Sequence, residues 1–355
     1  MALSGLAADP AGEDLHLSFS QLAASNTSRP AAFLAGLVPV LSERVRQLGV
    51  RPGVAVPADL VVLDSTFLGL SLALAPWLPP NGTGSPAKSG VRVQVQYRPA
   101  LDLPEHCLIT DTRTNDCQGL DQALLDDPVR LAALHDQTLV IDLGYYSHAR
   151  FERLLAAGVH FVTRLHPQAA VQIEADLPSP QPLPGLPAGR ISVRADQRVT
   201  VGSANNRAGA VLPGLRRVTA TVAPQPAAAR RGAQPVTYQV LTDRWDLTAE
   251  EVVHLYLWRW QIELFLRWLK RHVHLPRLLG ASRNAVAMTV WLAIIVHLLT
   301  VLAAHALGWA RRTPTLLAQL AWALAHLSRA DLPNPAAVAQ QLPLPGFALE
   351  PTAPT

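Results

Sequence analysis

The sequence predicts an α/β protein: a mixed, five-stranded sheet with flanking helices, interrupted by a β-rich insertion and bracketed by helical segments at both ends. Three observations predict it. Five short apolar runs of strand length occur before residue 166, the first three in succession and the last two alternating with helices, the order of a sheet that is parallel in one half. From His166 to Thr242 the pattern shifts to Pro- and Gly-punctuated β-like pieces, RISVRA, QRVTVG, RRVTATV and VTYQVLT. Helical periodicity then returns and persists. Of the 355 residues, 49% are hydrophobic and 16% charged, enough apolar material for a large core and too little charge for a disordered chain.

Taken in order, SRPAAFLAGLVPVLSERVRQLGV reads as one or two short helices interrupted at Pro39. Asp59–Thr66 (DLVVLDST) is a buried strand with Asp64 near its C-terminal end. After a Pro/Gly/Ser-rich loop, VRVQVQYR (Val91–Arg98) alternates strictly, the mark of a half-exposed strand. Glu105–Asp111 is a third strand, Gln118–Gln137 an acidic helix, and Thr138–Gly144 (TLVIDLG) a fourth strand with Asp142 at its end. SHARFERLLAAG is a helix opened by Ser147 and closed by Gly158, and VHFVTRL is the fifth strand. Past the insertion, Thr248 precedes Glu250 and Glu251 as an N-cap, and one helix runs to about His274. The expected segmentation is a helical N-terminal segment (1–58), the first part of the sheet core (59–165), the insertion (166–242), the second part of the core (243–310) and a helical C-terminal tail (311–355).

Two cysteines, Cys107 and Cys117, exclude a disulfide scaffold and a multi-cysteine zinc module, and suit a reducing, cytoplasmic compartment. The N-terminus has early acids and no apolar run behind a basic start, so no signal peptide is expected. Ala285–Ala310 carries no charge and is long enough to span a bilayer, or to form a buried core helix. Net charge is only +4, yet 15 Arg and Lys against 6 Asp and Glu fall between Pro187 and Arg283. So concentrated a basic region suits a polyanion, although a solvated surface has the same composition.

The candidate chemistry rests on three acids. Asp64 and Asp142 each follow an apolar triad, so each sits where a parallel sheet opens into a crevice; strand-end aspartates are also ordinary turn starters. On the helix after Thr248, Tyr256, Arg259, Glu263 and Lys270 fall within an arc of roughly 60° at about 100° per residue, with Arg267 close to the same stripe. Arg259, Glu263 and Arg267 would equally make a solvated face of i,i+4 pairs. That alternative leaves unexplained why Lys270, one of only two lysines, stands in this stripe among aromatics. Three carboxylates suit phosphodiester cleavage by two Mg²⁺ ions held roughly 3.5–4 Å apart. A phenol and cations beside them suit gripping the flanking phosphates.

These residues resemble the DDE transposases of the insertion sequence 4 family. Tyr256, Arg259, Glu263 and Lys270 match its Tyr-Arg-Glu-Lys signature, and Asp64 in VVLDST and Asp142 in LVIDLGYYS match the places of its two catalytic aspartates. TDTRTND, TDRWDLTAEEV and LLGASRNAVAMTVWLAIIVHLL agree as surroundings, so the resemblance covers roughly Asp59 to Leu302. It implies an RNase H-like core, with Asp64, Asp142 and Glu263 as catalytic residues holding two Mg²⁺ (Mn²⁺ in their place), and Tyr256, Arg259, Lys270 and Arg267 on DNA phosphates. It further implies cleavage at the ends of a bacterial mobile element and transfer into target DNA, double-stranded DNA as partner, a homodimer at synapsis and a nucleoid location. Trp245 and Trp260 are candidates for stacking on a displaced base, with core packing as the alternative for each. A core helix, and no membrane, is then expected for Ala285–Ala310. A DNA-binding remnant without cleavage is the other reading, because only 63 residues precede Asp64.

Overall fold

The computed structural model describes residues 30–50, 56–70, 77–78, 89–111, 113–178, 190–203, 210–272 and 282–306. The expected C-terminal tail and most of the N-terminal segment lie outside them. The chain divides into two compact units, residues 1–295 and 296–355, and the described residues of the second continue the last helix. The architecture of the first unit follows.

Among the described residues nine strands form one sheet: β1 (Leu60–Leu70), β2 (Ser89–Arg98), β3 (Leu103–Asp111), β4 (Thr138–Ile141), β5 (His160–Arg164), β6 (Val171–Asp176), β7 (Ile191–Val201), β8 (Leu212–Val222) and β9 (Val236–Thr242). Their order is β3-β2-β1-β4-β5-β9-β8-β7-β6. β1, β2 and β3 pair antiparallel, whereas β1, β4 and β5 pair parallel, so the first five strands form the mixed sheet that the sequence predicts. The insertion strands extend it, because β9 pairs antiparallel with β5 and β8, β7 and β6 follow outward. RISVRA and QRVTVG prove to be one strand, β7, with a register shift at Val193/Ala195 where a bulge absorbs the extra residue.

Helices are α1 (Ala31–Leu48), α2 (Asp116–Leu120), α3 (Pro128–Ala132), α4 (His148–Ala156), α5 (Pro226–Ala229), α6 (Ala249–Trp258), α7 (Trp260–His272) and α8 (Arg283–Ala306). α1 continues through Pro39 where a break was expected. Pro39 is exposed, so water can satisfy the carbonyl it leaves unbonded, while Val38, Ser42 and Val45 are buried to either side of it. The expected helix Gln118–Gln137 is instead α2, a π-turn at Asp121–Leu125, and α3. Pro128 has no N–H and forces Asp127 into an extended conformation, from which its carboxylate caps α3 through the Val129 and Arg130 amides. Ser147 occupies the N-cap position of α4 without a side-chain bond, and Gly158 closes that helix at φ +69°.

Alternation along the core strands feeds two apolar layers. Val61, Leu63, Leu139, Ile141 and Phe161 pack with Leu120, Leu124, Phe151 and Leu154 of the α2–α4 layer; Phe151 and Phe161 stack at 4.5 Å. Val199, Val201, Leu212, Leu215 and Leu241 continue that core into the insertion. The intervening residues Leu60, Val62, Val140 and Val162 are also buried, on the face that α6 and α7 cover with Leu255, Ile262, Phe265 and Leu269. Each such fully buried side chain contributes about 1.5–3 kcal/mol. α8 is long and apolar enough to cross a membrane, and its residues Ala285, Val286, Val290, Ala293 and Ile294 are buried. Cys107 is buried on β3, where desolvation pushes its thiol up to about 12.

A polar lock joins insertion to core at the end of the sheet where β1, β4 and β5 begin. Thr242 Oγ1 donates to the Phe161 carbonyl at 2.6 Å, and Asp243 accepts from the Phe161 amide at 2.9 Å while pairing with His160 at 2.6 Å. Arg244 binds Asp59 at 2.9 Å, Asp246 at 2.7 Å and the Thr138 hydroxyl. The TDRWD run therefore ties the end of β9 to residues at the starts of β1 and β4. Its guanidinium is 12% exposed, so truncation strands partly buried partners. Arg244→Ala is expected to lower the unfolding free energy by about 2 kcal/mol, read from urea denaturation of the full chain.

Candidate active site

The parallel register brings two of the acids together. The last paired rung between β1 and β4 is Leu63↔Ile141. Asp64 and Asp142 each stand one residue beyond it, on adjacent strands at the mouth of the crevice. Asp64 does not end its strand as the sequence suggested. β2 continues to pair with β1 through Leu70↔Ser89, with Asp64 opposite Val95, while β4 stops. One flank of β1 thus stays hydrogen-bonded and the other is released where β4 ends, which leaves Asp64 on a rigid strand beside that end.

The third acid arrives from the helices above the sheet. Thr248 and Glu251 form the capping box that starts α6. The expected single helix is interrupted at Arg259, whose amide bonds back to Tyr256 at 3.1 Å, three residues rather than four. Around this one-residue tightening Tyr256 and Arg259 reach Asp142, and Glu263 reaches Arg259. Tyr256 donates to Asp142 Oδ1 at 3.2 Å. Arg259 Nη1 meets Glu263 Oε1 at 2.6 Å, and its Nε lies 3.7 Å from Asp142 Oδ1.

The charges respond to this crowding. Asp64 is pushed up to about 6, first by burial and further by the neighbouring Asp142 and Glu263, against the Ser65 amide and Arg259, which favour its anion. That amide donates to Asp64 Oδ1 at 2.8 Å. Burial lowers Lys270, and the Asp64 charge acts against that shift, so the ammonium stands within electrostatic reach of the first aspartate. Tyr256 is pushed up to about 12 by burial.

Asp64, Asp142, Glu263, Tyr256, Arg259 and Lys270 are thus drawn into one neighbourhood. Arg267 instead lies over the Trp260 ring at 5.3 Å, and both residues are exposed on α7. Trp245 follows β9, 41% exposed, with Arg198 and Arg216 at 5.3 and 5.8 Å from its ring centroid. Neither tryptophan is a core residue. Of the insertion's basic residues, Arg216 is buried in a pair with Asp196 at 2.7 Å and bonds the Arg244 and Leu247 carbonyls, so it holds the loop before α6 and is not free for a ligand. Arg194, Arg198, Arg230 and Arg231 are exposed.

Sequence reasoning missed a supporting layer. Ser65 Oγ donates to Asp116 Oδ1 at 2.5 Å, and Arg92 binds both. The adjacent Cys117 thiol donates to the Gly144 carbonyl at 3.2 Å. Residues 116 and 117 therefore brace the neighbours of both aspartates. Tyr145 donates to Gln94 at 3.0 Å beneath them. Gly119 allows this close packing, because a Cβ there would stand 2.0 Å from the Gln94 amide nitrogen. The run TDTRTND, which ends at Asp116, was legible only as family surroundings, and Asn115, which makes a capping box with Gln118, marks a helix start and not a site. Tyr238 of β9 was likewise missed. It lies between Arg164 at 5.7 Å and the Tyr256 ring at 5.7 Å, and Arg259 lies 5.6 Å beyond on Tyr256, an alternating ladder from insertion to carboxylates.

Among the described residues, no three His, Cys, Asp or Glu side chains are gathered closely enough to hold a metal ion. The Arg259 guanidinium lies between two of the acids. The donors are nonetheless all carboxylate oxygens, the set that hard divalent cations prefer.

Comparison with known proteins gives a consistent picture. The family model for the transposase DDE domain matches residues 57–299. A Geobacillus stearothermophilus protein described as a probable transposase for insertion sequence element IS5377 is 26% identical over 264 residues, 74% of this chain and 61% of that protein. A Sinorhizobium fredii protein bearing a transposase name, y4zB, is 28% identical over 285 residues, 80% of this chain and 71% of that one. This chain therefore spans less than two thirds of the first relative. A piggyBac transposase synaptic complex with hairpin DNA superposes with a TM-score of 0.41 at 11% identity, over 76% of this chain and 52% of that one, too distant to bear on the site. For the supporting layer, Asp116→Ala is expected to cost about 1 kcal/mol in urea denaturation, since Arg92 and Ser65 lose their shared acceptor.

Proposed function

We propose that this chain, which belongs to the transposase DDE domain family, cuts DNA at the ends of a bacterial insertion sequence and joins the freed 3′-hydroxyls to target DNA. The observation that carries the reading is the pairing register. Asp64 and Asp142 flank each other past the Leu63↔Ile141 rung, and Glu263 reaches the same crevice through Arg259. Acids so placed repel one another, an arrangement that serves little purpose in a merely structural site.

Divalent metal is implied by the family, and Asp64, Asp142 and Glu263 would hold it, with Mg²⁺ or Mn²⁺ fitting the all-oxygen donors. When bound, such ions activate the attacking water or 3′-hydroxyl and stabilise the leaving oxygen. The rest of the work belongs to the chain's own groups. The strand and helix that carry the carboxylates fix their spacing before DNA arrives. Lys270 and Arg259 bind phosphate oxygens beside the scissile bond, and the Tyr256 hydroxyl, which donates to Asp142, fixes that side chain. The Asp116 layer positions Asp64 through Ser65. Exposed Arg194, Arg198, Arg230 and Arg231 give the insertion a surface for the duplex backbone. Joining two ends requires two active sites, so a homodimer forms on DNA, and the chain works in the cytoplasm on the nucleoid. Trp245 and Trp260 are exposed enough to stack on an unpaired base.

Cleavage of a duplex carrying the element's own terminal repeat, with Mg²⁺ or Mn²⁺, tests this. Glu263→Gln should lower the cleavage rate roughly a thousandfold or more while retaining DNA binding. A wild-type chain that binds the repeat and never nicks it would leave DNA binding alone as the function. Removing Arg230 and Arg231 together should reduce the slope of log binding constant against log salt by about 1.8. An unchanged slope removes the insertion from the DNA track.

A further inference from the structure

Acids that repel one another need a counter-charge when no metal is present, and the described site contains one. Arg259 is 15% exposed, its Nη1 lies 2.6 Å from Glu263 Oε1, and its Nε faces Asp142 Oδ1 at 3.7 Å. The Tyr256 hydroxyl donates to that same Asp142 oxygen at 3.2 Å, and the guanidinium lies 5.6 Å from the centroid of the Tyr256 ring. The hold is incomplete. Nε is buried without a hydrogen-bond partner, because 3.7 Å is an ion pair and not a hydrogen bond. A guanidinium carries five donors, so one short bond and a displaced Nε leave it held by charge more than by geometry.

We propose that the Asp142–Glu263 pair is a cation site occupied in turn by the Arg259 guanidinium and by a divalent ion, so that metal binding expels Arg259 from the carboxylates and frees it for phosphate. This deepens the reading given under the proposed function and rests on it. The two cations compete for the same two carboxylates, Asp142 and Glu263. Arginine brings one charge and a divalent ion two, so the ion prevails once present. The long side chain lets the released guanidinium remain beside the site, near where a phosphate would lie. Reciprocity then requires that a phosphate which draws Arg259 away from the acids also tightens metal binding, by the same factor as metal tightens DNA. Before metal binds, Arg259 serves to keep the acids apart from one another's charge.

The test uses the full chain without DNA and Mn²⁺ alone as the probe, followed by calorimetry, with thermal melting in chelator and in saturating Mn²⁺. Arg259→Gln should bind Mn²⁺ more tightly than wild type, on the order of tenfold. It should also melt at a lower temperature in chelator, and the gap should close as Mn²⁺ saturates. Arg259→Lys, which cannot span both acids, should show the same tightening by a smaller factor, and it stands in if the glutamine variant does not fold. Variants that melt cooperatively yet bind Mn²⁺ no tighter than wild type, while Glu263→Gln has lost binding, overturn the exchange and leave the metal reading of the acids standing. Mn²⁺ binding that is absent in wild type, or unchanged in Glu263→Gln, overturns both.

Discussion

Like-charge repulsion among Asp64, Asp142 and Glu263 is the constraint that the rest of the molecule is built to bear. Burial raises Asp64 to about 6, and Asp142 and Glu263 push it in the same direction by less than burial does. The chain answers in three ways. It mounts the aspartates on adjacent parallel strands whose shared rung cannot drift without losing a buried ladder. It sets a guanidinium between the other two acids. It satisfies the first aspartate through the Ser65 amide, itself braced by Asp116 and Arg92. Removing any one of these supports leaves the same charges less well opposed.

The insertion belongs to this arrangement and is not an appendage. β9 pairs with β5, and the buried layer under β4 and β5 runs on without a gap into β7 and β8. Two links run from the insertion toward α6 and α7. Arg216 is buried with Asp196 and holds the Arg244 and Leu247 carbonyls just before Thr248 caps α6. The ladder of Arg164, Tyr238, Tyr256 and Arg259 then carries side-chain contact to the acids. The insertion is therefore in side-chain contact with the residue just before the start of α6 and, through Tyr256, with the guanidinium. Part of the basic composition of this region is therefore structural, and charge counting along the chain could not separate Arg216 from exposed Arg198.

Strand assignments from the sequence held best where apolar runs were short and bounded. The five core strands stand at their expected places, because two-sided burial demands uninterrupted Val, Leu and Ile runs, as in Leu60–Leu63 and Thr138–Ile141. Boundaries failed where a partner strand decided them. β1 runs on to Leu70 only because β2 is there to pair with it, and β7 joins two apparent pieces through a bulge. Helix breaks failed in both directions. Pro39 sits harmlessly on the exposed side of α1, whereas Pro128 helps split a stretch that periodicity made continuous.

By itself, the sequence determined the existence of the strands, the Thr248 cap, and the family signature spaced over Tyr256, Arg259, Glu263 and Lys270. These follow from local rules, from burial periodicity, capping chemistry and helical pitch, which act over a few residues. Only the tertiary structure decided that Asp64 and Asp142 stand side by side past one shared rung, that Arg259 lies between Asp142 and Glu263, and that Asp116 and Tyr238 support the site. Asp64 and Asp142 are 78 positions apart, Arg259 and Asp142 117, and Ser65 and Asp116 51, and these relations arise from sheet register and packing. No local pattern encodes such geometry, because the free energy that selects it belongs to the assembled core.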